Sequence, residues 1–114
     1  MITLEQLRAK YAWEKALKNK NDKYKNLAKG APALIMSNGL MPSLAFWQSK
    51  KETQPMVDTI LGWLSERKIV STPDFQKAME DLQNSDQIKF RNATEETLEF
   101  LKWLRNFASA VCKD

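Results

Sequence analysis

Apolar residues recur along most of the chain at spacings of three and four, the period of an α-helix. Thr3 and Gln6 have the spacing of a capping box, and no glycine or proline interrupts the next fifteen positions. Lysines cluster at the end of this stretch, where a helix dipole favours positive charge. The pattern therefore predicts a first helix over residues 4–18.

Two further helices are predicted on either side of a turn signal at residues 37–39. Asp22 is the predicted cap of a helix over residues 23–36, and Pro32 within it predicts a kink or break because proline lacks the backbone N–H. After the turn, apolar residues spaced by four and three predict a third helix over residues 40–50.

The rest of the chain predicts three more helices, separated by short connections. One begins at Pro55, one follows a cap at Ser71 or Thr72, and one runs from near Asp86 to about residue 111. The last helix has one broad apolar face, made of Phe90, Ala93, Phe100, Leu101, Leu104, Phe107, Ala108 and Val111. We therefore predict an all-α fold, a compact single-domain bundle of about six helices over residues 1–114.

The residue types present argue against catalysis. Histidine is absent, which removes the Ser-His and Cys-His nucleophiles, and the single cysteine, Cys112, cannot form an internal disulfide or a zinc site. We expect Cys112 to be a small buried apolar residue. Several carboxylates lie on predicted helix surfaces without a glycine-rich loop or ligand cluster nearby: Glu80, Asp81, Glu95, Glu96 and Glu99. We expect no enzymatic activity, no cofactor and no bound metal.

No apolar run approaches the roughly 20 residues that a membrane helix needs. The N-terminus also lacks the basic and then apolar order of a secretory signal. We therefore expect a cytoplasmic protein with no membrane partner.

The net charge of +4 is unevenly distributed. Residues 1–51 carry a balance of +7, whereas residues 52–114 carry −3. A basic half joined to a mildly acidic half indicates a polyanion partner on one side and a different neighbour on the other.

Candidate phosphate-binding cations lie on the predicted first and third helices. Arg8, Lys15 and Lys18 share one side of the first helix with Tyr11, which could stack on a base or a ribose. The alternative is a solvated face with Tyr11 half-buried. Lys50 and Lys51 lie at the end of the predicted third helix, where their alternative role is to stabilise its C-terminus. Further lysines enlarge the basic region: Lys20, Lys23, Lys25 and Lys29.

Three of the four tryptophans, Trp13, Trp63 and Trp103, fall outside the best apolar stripe of their helices. Such a residue either closes the edge of a small core or anchors a protein interface. We favour the core edge for each one and expect an interface role for at least one of the three.

Five segments of the chain carry a resemblance to a known family: residues 8–16 (RAKYAWEKA), 23–29 (KYKNLAK), 31–40 (APALIMSNGL), 44–50 (LAFWQSK) and 96–108 (ETLEFLKWLRNFA). In this order they resemble the small α-helical subunit of the Cmr effector complexes, which are type III-B CRISPR systems. The resemblance spans nearly the whole chain and is weakest over residues 54–89.

The resemblance implies a compact helical subunit without enzymatic activity, stacked in several copies as a filament. Its partners would be the backbone and large Cmr subunits, the guide RNA and the target RNA, with target cleavage assigned to the neighbouring backbone subunit. The basic positions that match the family are Arg8, Lys15, Lys50, Lys102 and Arg105. Together with the residues chosen by pattern, the predicted RNA-binding set is Arg8, Lys15, Lys18, Lys50, Lys51, Lys102 and Arg105. The alternative function is a helical protein–protein adaptor with no direct role in nucleic-acid binding.

Overall fold

The computed structural model describes residues 1–112, which form six α-helices and one 3₁₀ turn, with no strand in that range. The 3₁₀ turn, Lys51–Thr53, leads directly into α4. The prediction of an all-α fold is confirmed. The helices are α1 (Leu4–Lys18), α2 (Asp22–Asn38), α3 (Leu40–Gln48), α4 (Gln54–Glu66), α5 (Phe75–Gln83) and α6 (Gln87–Val111).

The predicted start of α1 is confirmed, but the predicted cap of α2 is wrong. At α1 the Thr3 hydroxyl accepts the Gln6 N–H and the Gln6 side chain accepts the Thr3 N–H, which completes the capping box. At α2 the cap is Asn21, whose Oδ1 accepts the Tyr24 N–H at 2.8 Å. Asp22 is instead the first helical residue, where its carboxylate still interacts favourably with the helix dipole.

The predicted cap of α5 is also wrong. Asp74 caps this helix by accepting the Lys77 N–H at 3.1 Å. Ser71 has another partner, because its N–H and its hydroxyl both donate to Asp81 Oδ2, at 2.8 and 2.7 Å. These two bonds hold the pKa of Asp81 below its usual range and tie the loop before α5 to the helix itself.

Of the kink or break predicted at Pro32, the break is wrong, since α2 is continuous through this residue. Tyr24, Ala28, Ala31 and Ile35 lie on one face of α2, and all four are buried. Their packing on both sides of the proline keeps the helix whole, although Pro32 cannot donate to the carbonyl four residues before it.

The 25-residue helix α6 is the centre of the packing. It packs against α1, α2 and α4 through residues of its predicted apolar face, among them Ala93, Phe100 and Leu104. Thr97, which was not predicted in this face, is buried too and donates its hydroxyl to the Ala93 carbonyl at 2.8 Å. Cys112 is half-buried rather than fully buried, with its Sγ 3.6 Å from Asp22 Oδ1.

One ion pair fixes how α1, α4 and α6 fit together. Arg8 of α1 donates two hydrogen bonds to Glu96 of α6, at 2.7 and 2.8 Å, and a third to Glu5 at 2.7 Å. Trp63 of α4 donates its indole N–H to the same Glu96 carboxylate at 3.0 Å. The side chains of Arg8 and Glu96 are only 13% and 11% exposed, so each charge depends on its partner.

Two glycines occupy positions that would strain a larger residue, for different reasons. Gly39, between α2 and α3, has a φ of +93°, which L-residues rarely adopt. At Gly62 of α4 a Cβ would clash with the Tyr11 hydroxyl, so this glycine admits the tyrosine between α1 and α4. By contrast, a Cβ at Gly30 of α2 would meet nothing within 4 Å.

We predict opposite effects of alanine at two of these glycines. Gly39→Ala should lower the free energy of unfolding by about 1–2 kcal/mol, because it forces an L-residue to a positive φ. Gly30→Ala should raise it by about 0.5–1 kcal/mol, because alanine favours an open helical position. Urea denaturation of both variants is the measurement, and shifts of the same sign would contradict this account.

We predict that Arg8→Ala lowers the free energy of unfolding by about 3 kcal/mol, because the Glu96 carboxylate then stays shielded from water without its cation. The matched control is Lys102→Ala, which breaks the exposed Lys102–Glu99 pair at 2.7 Å and should cost at most about 0.5 kcal/mol. Equal losses in the two variants, measured by urea denaturation, would contradict the role given to Arg8.

Stability should also fall at acid pH because of Glu96. Burial alone would raise the pKa of this carboxyl, but the hydrogen bonds from Arg8 and Trp63 and the Arg8 charge outweigh it, so the pKa is lowered. The stabilisation is therefore complete above the ordinary value of 4.5 and is lost as the pH falls through the folded-state value. The difference in unfolding free energy between the wild type and Glu96→Gln should shrink below pH 4.5; a constant difference would refute the assignment.

Candidate nucleic-acid interface

The structure divides the predicted stripe on α1 into a buried part and an exposed part. Arg8 points into the ion pair with Glu96, and this pairing raises its pKa further. Tyr11 packs into the core edge, with its ring centroid 5.4 Å from that of Trp63 and 5.8 Å from that of Phe100. Burial raises the pKa of the Tyr11 hydroxyl. Arg8 is therefore held in an ion pair, and Tyr11 is half-buried at the edge of the core, as the alternative interpretation of the stripe expects.

Lys15 and Lys18 line a shallow groove where the end of α1 meets the start of α4. Pro55 and Asp58 form the α4 side of this groove, and Asn19 closes one end. Lys15 also lies over Tyr11, with its Nζ 5.2 Å from the ring centroid, a cation–π contact that keeps the long side chain against α1. These two lysines of the predicted set are therefore brought together at the surface.

The groove continues across the turn between α1 and α2. Asn19 and Pro55 also border a second depression, which Lys23 of α2 and Glu52 of the 3₁₀ turn line. We call the combined surface the lysine groove, and its lining lysines are Lys15, Lys18 and Lys23. Sequence reasoning gave Lys23 only a secondary place, because its neighbours in the groove come from distant parts of the chain.

Lys20, Lys50 and Lys51 flank the lysine groove. Lys20 lies in the turn between two lining asparagines, and Lys50 and Lys51 immediately precede Glu52. Helix α3 ends at Gln48, two residues before its predicted end, so Lys50 and Lys51 belong to the connection and the 3₁₀ turn rather than to the helix. All three side chains are exposed.

The charge of this region is positive. Two lining carboxylates, Glu52 and Asp58, and one flanking carboxylate, Asp22, stand against three lining and three flanking lysines. A further lysine, Lys25, contacts Asp22 at 3.5 Å and is mostly covered. The surplus of cations around one groove is suited to a phosphate backbone.

Hydrogen bonds fix the positions of the helices and of the 3₁₀ turn that form the lysine groove. Tyr24 of α2 and Thr59 of α4 share a buried hydrogen bond of 2.7 Å, and the Thr59 hydroxyl also donates to the Pro55 carbonyl at 2.8 Å. Burial raises the pKa of Tyr24 to about 12. On the other side, the Thr53 hydroxyl donates to the Lys50 carbonyl at 3.0 Å, which fixes the 3₁₀ turn.

Lys102 and Arg105 are not among the residues that line the groove. Both lie exposed on α6, and Lys102 pairs with Glu99 one turn away in the same helix. The structure therefore separates the predicted set into a cluster around the groove, an ion-paired Arg8, and two cations on α6.

The tryptophans also have different environments. Trp63 is buried and its ring stacks on Phe100, with centroids 5.4 Å apart and planes at 15°. Trp13 is 43% exposed and meets Phe107 edge-on, at 5.2 Å between centroids. Trp103 lies against the same Phe107, at 5.8 Å. Trp13 is thus both a core-edge residue and an exposed aromatic surface.

Sequence reasoning missed Phe46, a large apolar side chain that is 55% exposed on α3. One sequence feature could have predicted its exposure. Phe46 lies outside the apolar stripe of Leu40, Leu44 and Trp47, and Lys50 follows it one helical turn later. The Lys50 Nζ lies 5.8 Å from the Phe46 ring centroid.

Clusters of metal-ligating side chains and helices able to span a membrane are both absent from residues 1–112. In this part of the chain no group of three or more carboxylate or cysteine side chains is placed to hold a metal ion. No helix in the same range is long and apolar enough to cross a membrane.

Comparison with known proteins gives a family and a solved structure of the same fold. The family model described as CRISPR-associated protein (Cas_Cmr5) matches residues 4–111. A crystal structure of a CRISPR-associated Cmr5 family protein from Thermus thermophilus matches with a TM-score of 0.81 and 24% identity, covering 98% of this chain and 100% of that one.

The family match includes residues 54–89, where the resemblance by motif was weakest, and it extends over almost all of the structured chain. The solved structure independently supports the same helical fold. This chain belongs to the CRISPR-associated Cmr5 family.

Proposed function

We propose that this protein is a non-catalytic structural subunit of a type III-B Cmr complex and that its lysine groove contacts the backbone of the guide–target RNA. Membership of the family implies a subunit of a Cmr complex, associated with the other Cmr subunits. The contact with RNA is the part that this proposal adds.

The observation that carries the proposal is that lysines of two helices line one groove. Lys15 and Lys18 come from α1 and Lys23 comes from α2, while Lys51 immediately precedes Glu52, which lines the groove with Lys23. Lysine is a compact charge on a flexible stem, which suits phosphate contacts without base readout. Sequence-independent binding is sufficient here, because base pairing between guide and target supplies the specificity.

Arg8 has a structural role in this proposal, since its guanidinium already holds Glu96 and Glu5. Lys102 and Arg105 are a second, separate place for an RNA or protein contact on α6. The basic surface is therefore centred on Lys15, Lys18, Lys50 and Lys51 of the predicted set, with Lys23 added.

We propose that a different surface makes the protein contacts. Trp13 and Leu17 of α1 are 43% and 42% exposed, and an exposed tryptophan beside an aliphatic side chain is typical of an interface. We assign this surface to a neighbouring copy or a backbone subunit. Stacked copies would line up several lysine grooves along one RNA in the cytoplasm, which multiplies a modest affinity per copy.

The same exposed Trp13 favours a second candidate function, a protein–protein adaptor whose lysines only interact with solvent. The two candidates differ in one observable property. Phosphate contacts make binding weaken steeply with salt, whereas an adaptor contributes nothing to the salt dependence of RNA binding.

We predict that replacing Lys15, Lys18 and Lys23 together by Gln weakens target-RNA binding by a reconstituted Cmr complex. Three lost phosphate contacts should reduce the slope of log affinity against log salt by about 2–3 for each copy. The loss should be equal for two unrelated guide–target pairs. Filter binding over a series of KCl concentrations is the measurement.

The matched control removes the same charge elsewhere, with Lys68, Lys77 and Lys89 replaced by Gln. These three lysines are exposed on or beside α5, away from the groove, and their replacement should leave the slope unchanged. Equal effects of the two triple variants, or no effect of either, would favour the adaptor.

A further inference from the structure

A second groove lies between α2 and α3, and its character differs from that of the lysine groove. Its walls are mostly apolar, and Phe46 forms one of them. The neighbours of Phe46 in α3, Leu44 and Trp47, are buried in the core, so Phe46 is the residue of this helix whose ring is left at the surface. The lining residues are Leu34, Asn38, Pro42, Ser43 and Phe46.

The turn at Gly39 shapes this groove. Its positive φ connects α2 to α3 within a single residue, which places Asn38 beside Pro42. The Ser43 hydroxyl donates to the Gly39 carbonyl at 2.8 Å and is thereby satisfied. In residues 1–112 the Asn38 side-chain amide has no hydrogen-bond partner, so its N–H groups and its oxygen are open to a ligand.

The charge around the groove favours an anionic occupant. The Lys50 Nζ lies 5.8 Å from the Phe46 ring centroid, and Lys51 follows it in the chain. The two helices themselves, residues 22–48, contain three lysines and one carboxylate, Asp22, which lies at the far end of α2 from Asn38. A partner with a flat ring, hydrogen-bonding edges and a phosphate fits this set of groups better than an apolar peptide does.

We propose that the groove is a nucleobase site for an unpaired nucleotide of single-stranded RNA. The base stacks on Phe46, the Asn38 amide bonds to an edge of the base, and Lys50 contacts the phosphate. Stacking on one ring accepts any base, so the site adds affinity rather than sequence specificity. The inference rests on the proposed function, because Lys50 lies near Phe46 and the following Lys51 immediately precedes Glu52, which lines the lysine groove.

The test is a titration of the full-length, 15N-labelled protein with a uridine hexanucleotide, followed by NMR at millimolar RNA. The side-chain amide signals of Asn38 and the backbone amide of Phe46 should shift. An abasic hexanucleotide, which has the same phosphates but no bases, should leave both unshifted. Absence of shifts with the uridine oligonucleotide, or equal shifts with the two oligonucleotides, would overturn the proposal.

Variants give the second readout. Phe46→Ala should weaken binding of the uridine hexanucleotide about five-fold or more, and Phe46→Trp should retain it because tryptophan also stacks. The control is Met36→Ala, which removes another apolar side chain, 75% exposed on α2, that does not line the groove. It should leave binding unchanged; equal losses in Met36→Ala and Phe46→Ala would count against a base site.

Two further outcomes separate this inference from its alternatives. Shifts near Lys18 and Lys23 with both oligonucleotides, but none at Asn38 and Phe46, would remove the base site and leave the lysine groove intact. If Phe46→Ala leaves RNA binding unchanged but prevents incorporation into a reconstituted Cmr complex, the groove is a protein contact and the proposal fails.

Discussion

The Glu96 carboxylate is the point on which the arrangement of three helices depends. Arg8 from α1 and the Trp63 indole from α4 both donate to it, so one group of α6 sets the position of two neighbours. Tyr11 then fits against α4 only because Gly62 leaves room for its hydroxyl. With this register fixed, Lys15 and Lys18 at the end of α1 face Pro55 at the start of α4, and the lysine groove results.

The charge split in the sequence becomes a spatial separation of roles in the structure. The basic N-terminal half supplies the groove lysines, while two carboxylates of the C-terminal half hold the fold: Glu96 accepts hydrogen bonds from Arg8, and Asp81 accepts them from Ser71. Two exposed aromatic side chains lie in the N-terminal half, Trp13 on α1 and Phe46 on α3. The proposed RNA contact and the proposed protein contact therefore use different residues of this chain.

The sequence predicted the helices well where their signals are local. The capping box at Thr3 fixed the start of α1, whereas the break at Pro32 was wrong because the packing of Tyr24 and Ile35 on either side outweighs one missing hydrogen bond. Arg8 and Lys15 have the same signature in sequence, yet the partner of Arg8 lies 88 positions away. No local sequence pattern distinguishes a cation that is held in a buried ion pair from one that is exposed to a ligand. The seven predicted RNA contacts therefore remain predictions.

The central claim is that this protein works inside a Cmr complex, against RNA. Affinity purification of the tagged protein from its host, with mass spectrometry of the proteins and sequencing of the bound RNA, tests it most directly. The account predicts that the other Cmr subunits and guide RNA co-purify with it. Purification of the protein without RNA, or with partners unrelated to CRISPR effectors, would contradict it.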